Sequence, residues 1–355
     1  MDGSPVKILC ITGWCRNGST IIGNVLNEIP GFCHVGELHF LWKNAADRGA
    51  NSLCGCGEVL TRCPVWSTIL PLGRPAGVSA QAQADAVIRR QGACVRTRHT
   101  WRVLHRGLGG GLAGDEIRVH AALMTQTYQA IAARMDARVI VDTTKIPGEA
   151  ALLPYLDGVT PYFVHLVRDP RAVAHSWREP KQYVYAMSSG KSTAYWLGFN
   201  VAARAITRRY PQRSLFLRYE DFIADPAAAI DALLRLCDAD RSANPIQGRV
   251  IDLHANHTVT GNPDRFRTGA TVIRESDDSW RAGLPVTARL AAVALSWPLL
   301  RRYGYSYGAT LPFSSRWASR SARSGRVPPP THSPARPRPA DQNSGVQEGT
   351  SGSGT

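Results

Sequence analysis

Short, nearly continuous apolar runs alternate along the chain with longer segments in which apolar residues recur every three or four positions. Four of the short runs indicate buried strands, at residues 6–12, 138–142, 162–167 and 214–218. The longer segments predict helices at residues 19–29, 120–135, 193–210, 226–237 and 285–302. Alternation of this kind predicts an α/β protein whose parallel β-sheet is flanked by helices on both faces.

The turn between the first strand and the first helix is rich in glycine and polar residues (Gly13-Trp14-Cys15-Arg16-Asn17-Gly18-Ser19-Thr20). Such a turn directs backbone N–H groups and the positive end of a helix toward one point, which favours an anion. The ATP-binding form of this loop carries a Lys where Ser19 stands here, and that Lys reaches the β- and γ-phosphates. The nearest cation is Arg16, inside the loop. We therefore expect a phosphorylated ligand other than Mg·ATP, bound without a metal.

A second polar segment follows the strand predicted at residues 162–167. Asp169 suits the N-cap of a helix, and Pro170 suits the first helical position. Arg168 then lies at the end of the strand, and Ser176 lies about two turns into the helix. A cation and a hydroxyl beside a helix N-terminus predict a second anion site.

These segments resemble the sulfotransferases that use 3′-phosphoadenosine 5′-phosphosulfate (PAPS). In that family the first loop binds the 5′-phosphosulfate, and an Arg followed eight residues later by Ser binds the 3′-phosphate. Two later blocks are similar to family elements that contact the adenine and close on the 3′-phosphate, Arg218-Tyr219-Glu220-Asp221 and Arg265-Phe266-Arg267-Thr268-Gly269. The resemblance implies a P-loop NTPase-like sulfotransferase fold and a nucleotide site formed by Arg16, Asn17, Gly18, Ser19, Thr20, Arg168, Ser176, Tyr219, Arg265, Arg267, Thr268 and Gly269.

Sulfuryl transfer needs a positioned acceptor hydroxyl, a base for its proton and a cation at the oxygen that leaves. Arg16 and Lys145 are the candidate cations, and Lys145 follows a predicted strand as in many sulfotransferases. Glu37, preceded by Gly, resembles the general base of tyrosylprotein sulfotransferases. No His follows Lys145, as it would in the cytosolic small-molecule enzymes, so Glu37 is the predicted base, with His34 and His39 as alternatives. Both Glu37 and Lys145 also have a structural alternative. Glu37 could cap a helix or form an ion pair, and Lys145 could be a surface residue.

Composition divides the chain into a folded part and a tail. Residues 1–312 contain all four blocks and are predicted to form the sulfotransferase domain. Residues 71–118 within them are predicted to be a lid or insertion that is either helical or disordered. Residues 313–355 are rich in Ser, Arg, Pro and Gly with almost no large apolar side chain, which predicts a disordered tail.

The formal net charge of +15 over 355 residues raises the alternative of a nucleic-acid-binding or other polyanion-binding protein. No nucleic-acid-binding module is recognisable, and a multiply anionic nucleotide is enough to explain a basic cleft. We therefore predict an enzyme that uses PAPS, needs no metal and modifies a hydroxyl of a small-molecule, glycan or natural-product acceptor. A P-loop small-molecule kinase is the other enzyme alternative, although Ser19 opposes it.

Three of the eight cysteines cluster as Cys54, Cys56 and Cys63, in a segment that resembles bacterial sulfotransferases. They fall one ligand short of a zinc site unless Cys33 or a His completes it, which favours a disulfide or packing of reduced thiols. The N-terminal residues lack a signal-peptide pattern, and no run of 18 apolar residues occurs. We therefore expect a cytoplasmic bacterial enzyme without a membrane span.

Overall fold

Five parallel strands form the central sheet of this protein, in the order β2-β3-β1-β4-β5, and two antiparallel strands form a separate hairpin. The computed structural model describes residues 5–47, 50–109, 112–178, 180 and 186–306. The strands are β1 (Val6–Thr12), β2 (Phe32–Gly36), β3 (Val139–Asp142), β4 (Val159–Val167), β5 (Ser214–Arg218), β6 (Val250–Leu253) and β7 (Gly269–Val272).

Thirteen α-helices occur in the described part of the chain. They are α1 (Ser19–Asn27), α2 (Leu41–Ala46), α3 (Trp66–Ile69), α4 (Ala80–Cys94), α5 (Thr100–Arg106), α6 (Leu112–Met135), α7 (Pro147–Leu152), α8 (Pro170–Arg178), α9 (Ser189–Arg209), α10 (Tyr219–Ala224), α11 (Pro226–Leu236), α12 (Ser279–Gly283) and α13 (Val286–Arg302). None of the described helices combines the length and the apolar character needed to cross a membrane.

Strand β1 occupies the centre of the sheet because both of its faces are apolar. Successive side chains of a strand point to opposite faces. Ile8 and Cys10 accordingly pack in a core with residues of α4 and α6, whereas Leu9 and Ile11 pack in a second core with residues of α1 and α11. All four side chains are at most 2% exposed. The prediction of a parallel sheet with helices on both faces is confirmed.

The four strands predicted from sequence match β1, β3, β4 and β5 closely, and the predicted helices match α1, α6, α9, α11 and α13. Strand β2 and the β6–β7 hairpin were not predicted, because His34, Asp252 and Thr271 interrupt these strands and leave no apolar run longer than two residues. The segment predicted as a lid contains α4, α5 and the start of α6. Its role as a lid stays a prediction, and the predicted tail at residues 313–355 lies outside the described residues.

Candidate active site

A cavity of about 720 Å³ opens at the C-terminal ends of the central strands. The loop after β1 and the first turn of α1 contribute residues 15, 16 and 18–21, and the other four strands are followed by Glu37, Lys145, Arg168 and Tyr219 in the cavity wall. Residues between 260 and 274, together with parts of α2 and α8, also line the cavity. Open α/β sheets bind their ligands at this edge, so the cavity is the candidate active site.

The loop between β1 and α1 has the backbone of a phosphate-binding loop. Gly13 and Gly18 have φ angles of +136° and +90°. Residues that carry a side chain rarely adopt this backbone conformation. A Cβ atom on Gly18 would lie 2.2 Å from the Tyr219 ring, so only glycine fits there. Gly18 provides no side-chain cap for α1, and the first turn of α1 lines the cavity through Ser19 and Thr20. The N–H end of a helix is thus presented to any anion that enters.

Asn17 fixes this loop from beneath and does not itself line the cavity. Its side-chain amide donates to the carbonyl of Leu166 over 2.9 Å, and its Oδ1 accepts from the Ser19 N–H over 3.3 Å. Asn17 is only 2% exposed. It therefore connects the loop to strand β4, so that the ends of two neighbouring strands hold one conformation of the loop.

Arg16 places a cation on the rim of the same loop. It has a φ angle of +68°, and its guanidinium lies 5.1 Å from the centre of the Trp177 ring, within the range of a cation–π contact. Both residues line the cavity. The loop cation predicted from sequence is therefore held against helix α8, which follows the second predicted anion segment.

Arg168 is held by a carboxylate that the sequence did not point to. Its Nε and Nη2 each donate to Asp277 over 2.6 Å, and its Nη1 donates to the Arg16 carbonyl over 2.8 Å. The guanidinium also lies 5.1 Å from the centre of the Tyr219 ring. Burial lowers the pKa of Arg168, but the Asp277 carboxylate outweighs it, so the pKa is raised overall and the cation is fixed.

Helix α8 begins as its sequence predicts. Asp169 accepts a hydrogen bond from the backbone N–H of Arg171 over 2.8 Å, and Pro170 is the first helical residue. Ser176 lies further along α8 and lines the cavity together with Arg168. The predicted cation and hydroxyl of the second anion segment thus face one space.

Glu37 and Lys145 form an ion pair in the cavity wall, with 2.9 Å between Oε1 and Nζ. Lys145 also donates to the Thr143 carbonyl over 2.8 Å. The two side chains are 15% and 6% exposed, so Lys145 is not a surface residue. Burial lowers the pKa of Lys145, but the Glu37 carboxylate outweighs it and the pKa is raised overall. Lys145 is therefore a fixed cation beside the candidate base.

The two histidines predicted as alternative bases do not line the cavity. His34 is 3% exposed, with its ring nitrogens near Asn24 and Thr143. Burial, with Lys145 and Arg265 adding to it, lowers the pKa of His34 to about 3. His39 pairs with Glu149, with 2.7 Å between Nδ1 and Oε1. Of the three predicted candidates, only Glu37 reaches the cavity.

The late basic block divides between the cavity and the interior. Arg267 lines the cavity, but Arg265, Thr268 and Gly269 do not. The Arg265 guanidinium donates to the carbonyls of Thr258 and Leu53 over 2.8 and 2.9 Å, and Arg265 is 1% exposed. Its nucleotide-binding role stays a prediction that this geometry does not support. Two cavity cations were missed, Lys43 and Arg274, because neither belongs to a recognisable motif.

A family model described as the sulfotransferase family matches residues 77–243, which include Lys145, Arg168, Ser176 and Tyr219. No curated protein matches.

Solved structures resemble the chain at low sequence identity. The sulfotransferase domain of the Synechococcus PCC 7002 olefin synthase is 18% identical over 83% of this chain and 95% of that domain, with a TM-score of 0.46. The sulfotransferase domain from the curacin biosynthetic pathway is 17% identical over 85% and 98%, with a TM-score of 0.48. Sulfotransferase STF9 from Mycobacterium avium is 13% identical over 85% and 78%, with a TM-score of 0.41.

Proposed function

Because a sulfotransferase family model matches residues 77–243, we propose that this chain transfers the sulfuryl group of PAPS to a hydroxyl of a small-molecule, glycan or natural-product acceptor. The observation that carries the proposal is that one cavity collects the helix N-terminus of α1, six cations and the ion-paired carboxylate of Glu37. The six cations are Arg16, Lys43, Lys145, Arg168, Arg267 and Arg274. A donor that carries a phosphosulfate and a separate phosphate needs two such groups of positive charge.

Positive charge is arranged in two places, and this supports a division of roles. The loop after β1, with Arg16, Ser19 and Thr20, would bind the phosphosulfate through backbone and hydroxyl donors. Arg168 and Ser176 would bind the 3′-phosphate. Arg168 keeps a fixed orientation through Asp277, so little conformational entropy is lost when an anion binds.

The Glu37–Lys145 pair supports an in-line transfer. The acceptor oxygen forms a bond to sulfur, the bond from sulfur to the bridging phosphate oxygen breaks, and the acceptor proton passes to Glu37. Lys145 and Arg16 would stabilise the charge on the oxygen that leaves. A base and a cation held 2.9 Å apart can act in the same transition state.

The cavity offers little support for the kinase alternative. Ser19 occupies the position of the Lys that an ATP-binding loop needs. Asp142, the carboxylate at the end of β3, accepts hydrogen bonds from the Tyr128 hydroxyl and the Thr144 N–H, both over 2.6 Å. It is 3% exposed and does not line the cavity. It is therefore not positioned as a ligand for Mg²⁺ there.

Calorimetric titration with adenosine 3′,5′-bisphosphate, beside Mg·ATP, tests the donor site. We expect the bisphosphate to bind more tightly than Mg·ATP. The double variant Arg168→Ala/Asp277→Ala removes both partners of a buried ion pair and so leaves no lone buried charge. It should weaken binding of the bisphosphate by between about 10- and 150-fold. This change in affinity corresponds to the free energy of one hydrogen bond to a charged group.

Arg209→Ala is the matched control, because this Arg is exposed and lies outside the cavity. It should bind the bisphosphate as the wild type does. Preference for Mg·ATP would overturn the proposal in favour of a kinase. Equal weakening in both variants, with a steep dependence on salt, would instead indicate general polyanion binding.

A further inference from the structure

Three cysteines and one histidine meet at a point that the proposed reaction does not use. The sulfur of Cys63 lies 3.5 Å from that of Cys54, 3.9 Å from that of Cys56 and 3.3 Å from Nδ1 of His257. Cys54 Sγ lies 3.6 Å from the same nitrogen. All four ligand atoms lie within 4.8 Å of one another. The sequence identified the three thiols and left the fourth ligand open between Cys33 and a His, because His257 is about 200 residues away along the chain.

These distances do not suit a disulfide. Bonded sulfurs lie about 2.05 Å apart, whereas the sulfurs here are separated by 3.5 and 3.9 Å and all eight cysteines are free. Cys33, the other ligand that the sequence offered, does not belong to the cluster. A disulfide between any two of the three would also leave the third thiol beside it.

The same distances suit a tetrahedral metal. Zinc binds thiolates at about 2.3 Å and imidazole nitrogens at about 2.0–2.1 Å, which places neighbouring ligand atoms roughly 3.5–3.8 Å apart. We propose that Cys54, Cys56, Cys63 and His257 bind a structural zinc ion. On binding, the three thiols lose their protons to solvent, and the neutral imidazole contributes a lone pair. Four protein ligands fill the coordination sphere, so this zinc has no open position for a reaction.

Two of the thiols are fully enclosed by the protein. Cys54 and Cys63 are 0% exposed, so as thiolates without a cation their negative charge would be buried and unpaired. A bound divalent cation would neutralise that charge.

The loop that carries the thiols is shaped to reach His257. Gly57 has a φ angle of +91°, and its N–H donates to the Cys54 carbonyl over 2.9 Å, which closes a tight turn. Gly55 donates to the Thr258 carbonyl over 2.9 Å, and a Cβ atom on Gly55 would lie 2.0 Å from the Asn256 side chain. The Trp66 indole donates to the His257 carbonyl over 2.9 Å. These contacts hold both chain segments around the four ligand atoms.

The ion would stabilise part of the cavity wall. Val259, two residues after His257, accepts from the Glu37 N–H and donates to the Val35 carbonyl, both over 2.9 Å. Thr260 and Gly261 follow and line the cavity. Zinc at His257 would thus fix the backbone of the candidate base and the start of the late loop. The proposal departs from the sequence prediction that no metal is needed, but it does not depend on the reaction proposed above.

Metal analysis of the full-length protein, purified without chelator or added metal, is the test. We expect inductively coupled plasma mass spectrometry to find one zinc ion per protein chain. The metal-free protein, prepared by chelation under reducing conditions, should take up Co²⁺ and give the thiolate charge-transfer absorption of a tetrahedral site. It should also unfold at a lower temperature than the zinc form.

Loss of a group that only hydrogen-bonds to a metal ligand weakens metal binding roughly 10- to 100-fold. Cys56→Ser and His257→Ala each remove a ligand itself, so each should weaken zinc binding by more than that. Cys33→Ser is the matched control, since Cys33 is buried outside the cluster, and it should retain the zinc. Folded wild-type protein that contains no zinc and takes up neither Zn²⁺ nor Co²⁺ would overturn the proposal. A disulfide among the three cysteines in the purified protein, found by mass spectrometry without reduction, would also overturn it.

Discussion

Glu37 and Lys145 cannot be changed independently of each other, because they form one buried ion pair. The carboxylate holds the ammonium in place, and in the proposed reaction the ammonium stabilises the charge on the oxygen that leaves. Removing the charge of either partner therefore changes both. This pairing makes the role of Glu37 testable by a substitution that keeps the size of the side chain.

Glu37→Gln should lower kcat by about 10²- to 10⁴-fold, the usual contribution of a general base. Binding of adenosine 3′,5′-bisphosphate should change little, because no phosphate site includes Glu37. The measurement is steady-state release of the bisphosphate from PAPS, with a hydroxyl acceptor found by screening. Glu58→Gln, at an exposed Glu outside the cavity, is the control. An unchanged kcat in Glu37→Gln would remove Glu37 from the reaction.

At the scale of elements, the start of α1 depends on a glycine that packs against another element. Gly18 combines a φ angle of +90° with a Cβ position 2.2 Å from the Tyr219 ring, at the start of α10. The phosphate-loop backbone and the ring behind it are therefore complementary. Any side chain at residue 18 has to displace Tyr219, which in turn packs against the Arg168 guanidinium.

Gly18→Ala should lower the free energy of unfolding by about 1–3 kcal/mol, because it adds backbone strain and a steric clash. Gly198→Ala is the matched control: this glycine lies inside α9, and a Cβ atom there would meet no other atom within 4 Å. The control should raise the free energy of unfolding by up to about 1 kcal/mol, the difference between Gly and Ala in a helix. Urea unfolding measures both. Equal effects of the two substitutions would contradict this account of the loop.

The sequence predicted those elements whose signal is local. Asp169 and Pro170 identify the start of α8 without any knowledge of their neighbours, and Arg168 follows from the end of β4. Its partner Asp277 is 109 residues away, and no periodicity connects the two. Arg265 and Arg267 belong to one short basic block, yet only the tertiary arrangement shows that the first donates to buried carbonyls while the second reaches the cavity. Long-range pairing decided the parts of the site that the sequence missed.

At the scale of the whole molecule, Glu220 joins three distant parts of the chain. Its Oε1 accepts from the Asp169 N–H over 2.9 Å, and its Oε2 accepts from the Tyr305 hydroxyl over 2.7 Å. Burial, with the Asp169 carboxylate adding to it, raises the pKa of Glu220 to about 7. The folded protein therefore binds this proton more tightly than the unfolded chain does. Its contribution to stability is present at low pH and is lost as the pH rises through about 7.

Between pH 6.5 and 8.5 the wild type should lose about 1 kcal/mol of unfolding free energy relative to Glu220→Gln, which has no proton to lose. The buried His34 and His165, whose pKa values are lowered to about 3 and about 4, take up protons on unfolding equally in both proteins, so their contribution cancels in the comparison. Denaturant unfolding at several pH values gives the difference. The exposed Glu275→Gln should follow the wild type. Parallel pH profiles for wild type and Glu220→Gln would contradict the raised pKa.

The sheet order also has a consequence for how the chain is made. Strand β1 pairs only with β3 and β4, which begin at Val139 and Val159, so the ribosome completes β1 long before either partner exists. At about 5–20 residues per second, the wait for β3 is roughly ten seconds. Throughout synthesis of that intervening stretch, an apolar strand with two unsatisfied edges is exposed to other chains. This interval is when the growing polypeptide most needs a chaperone.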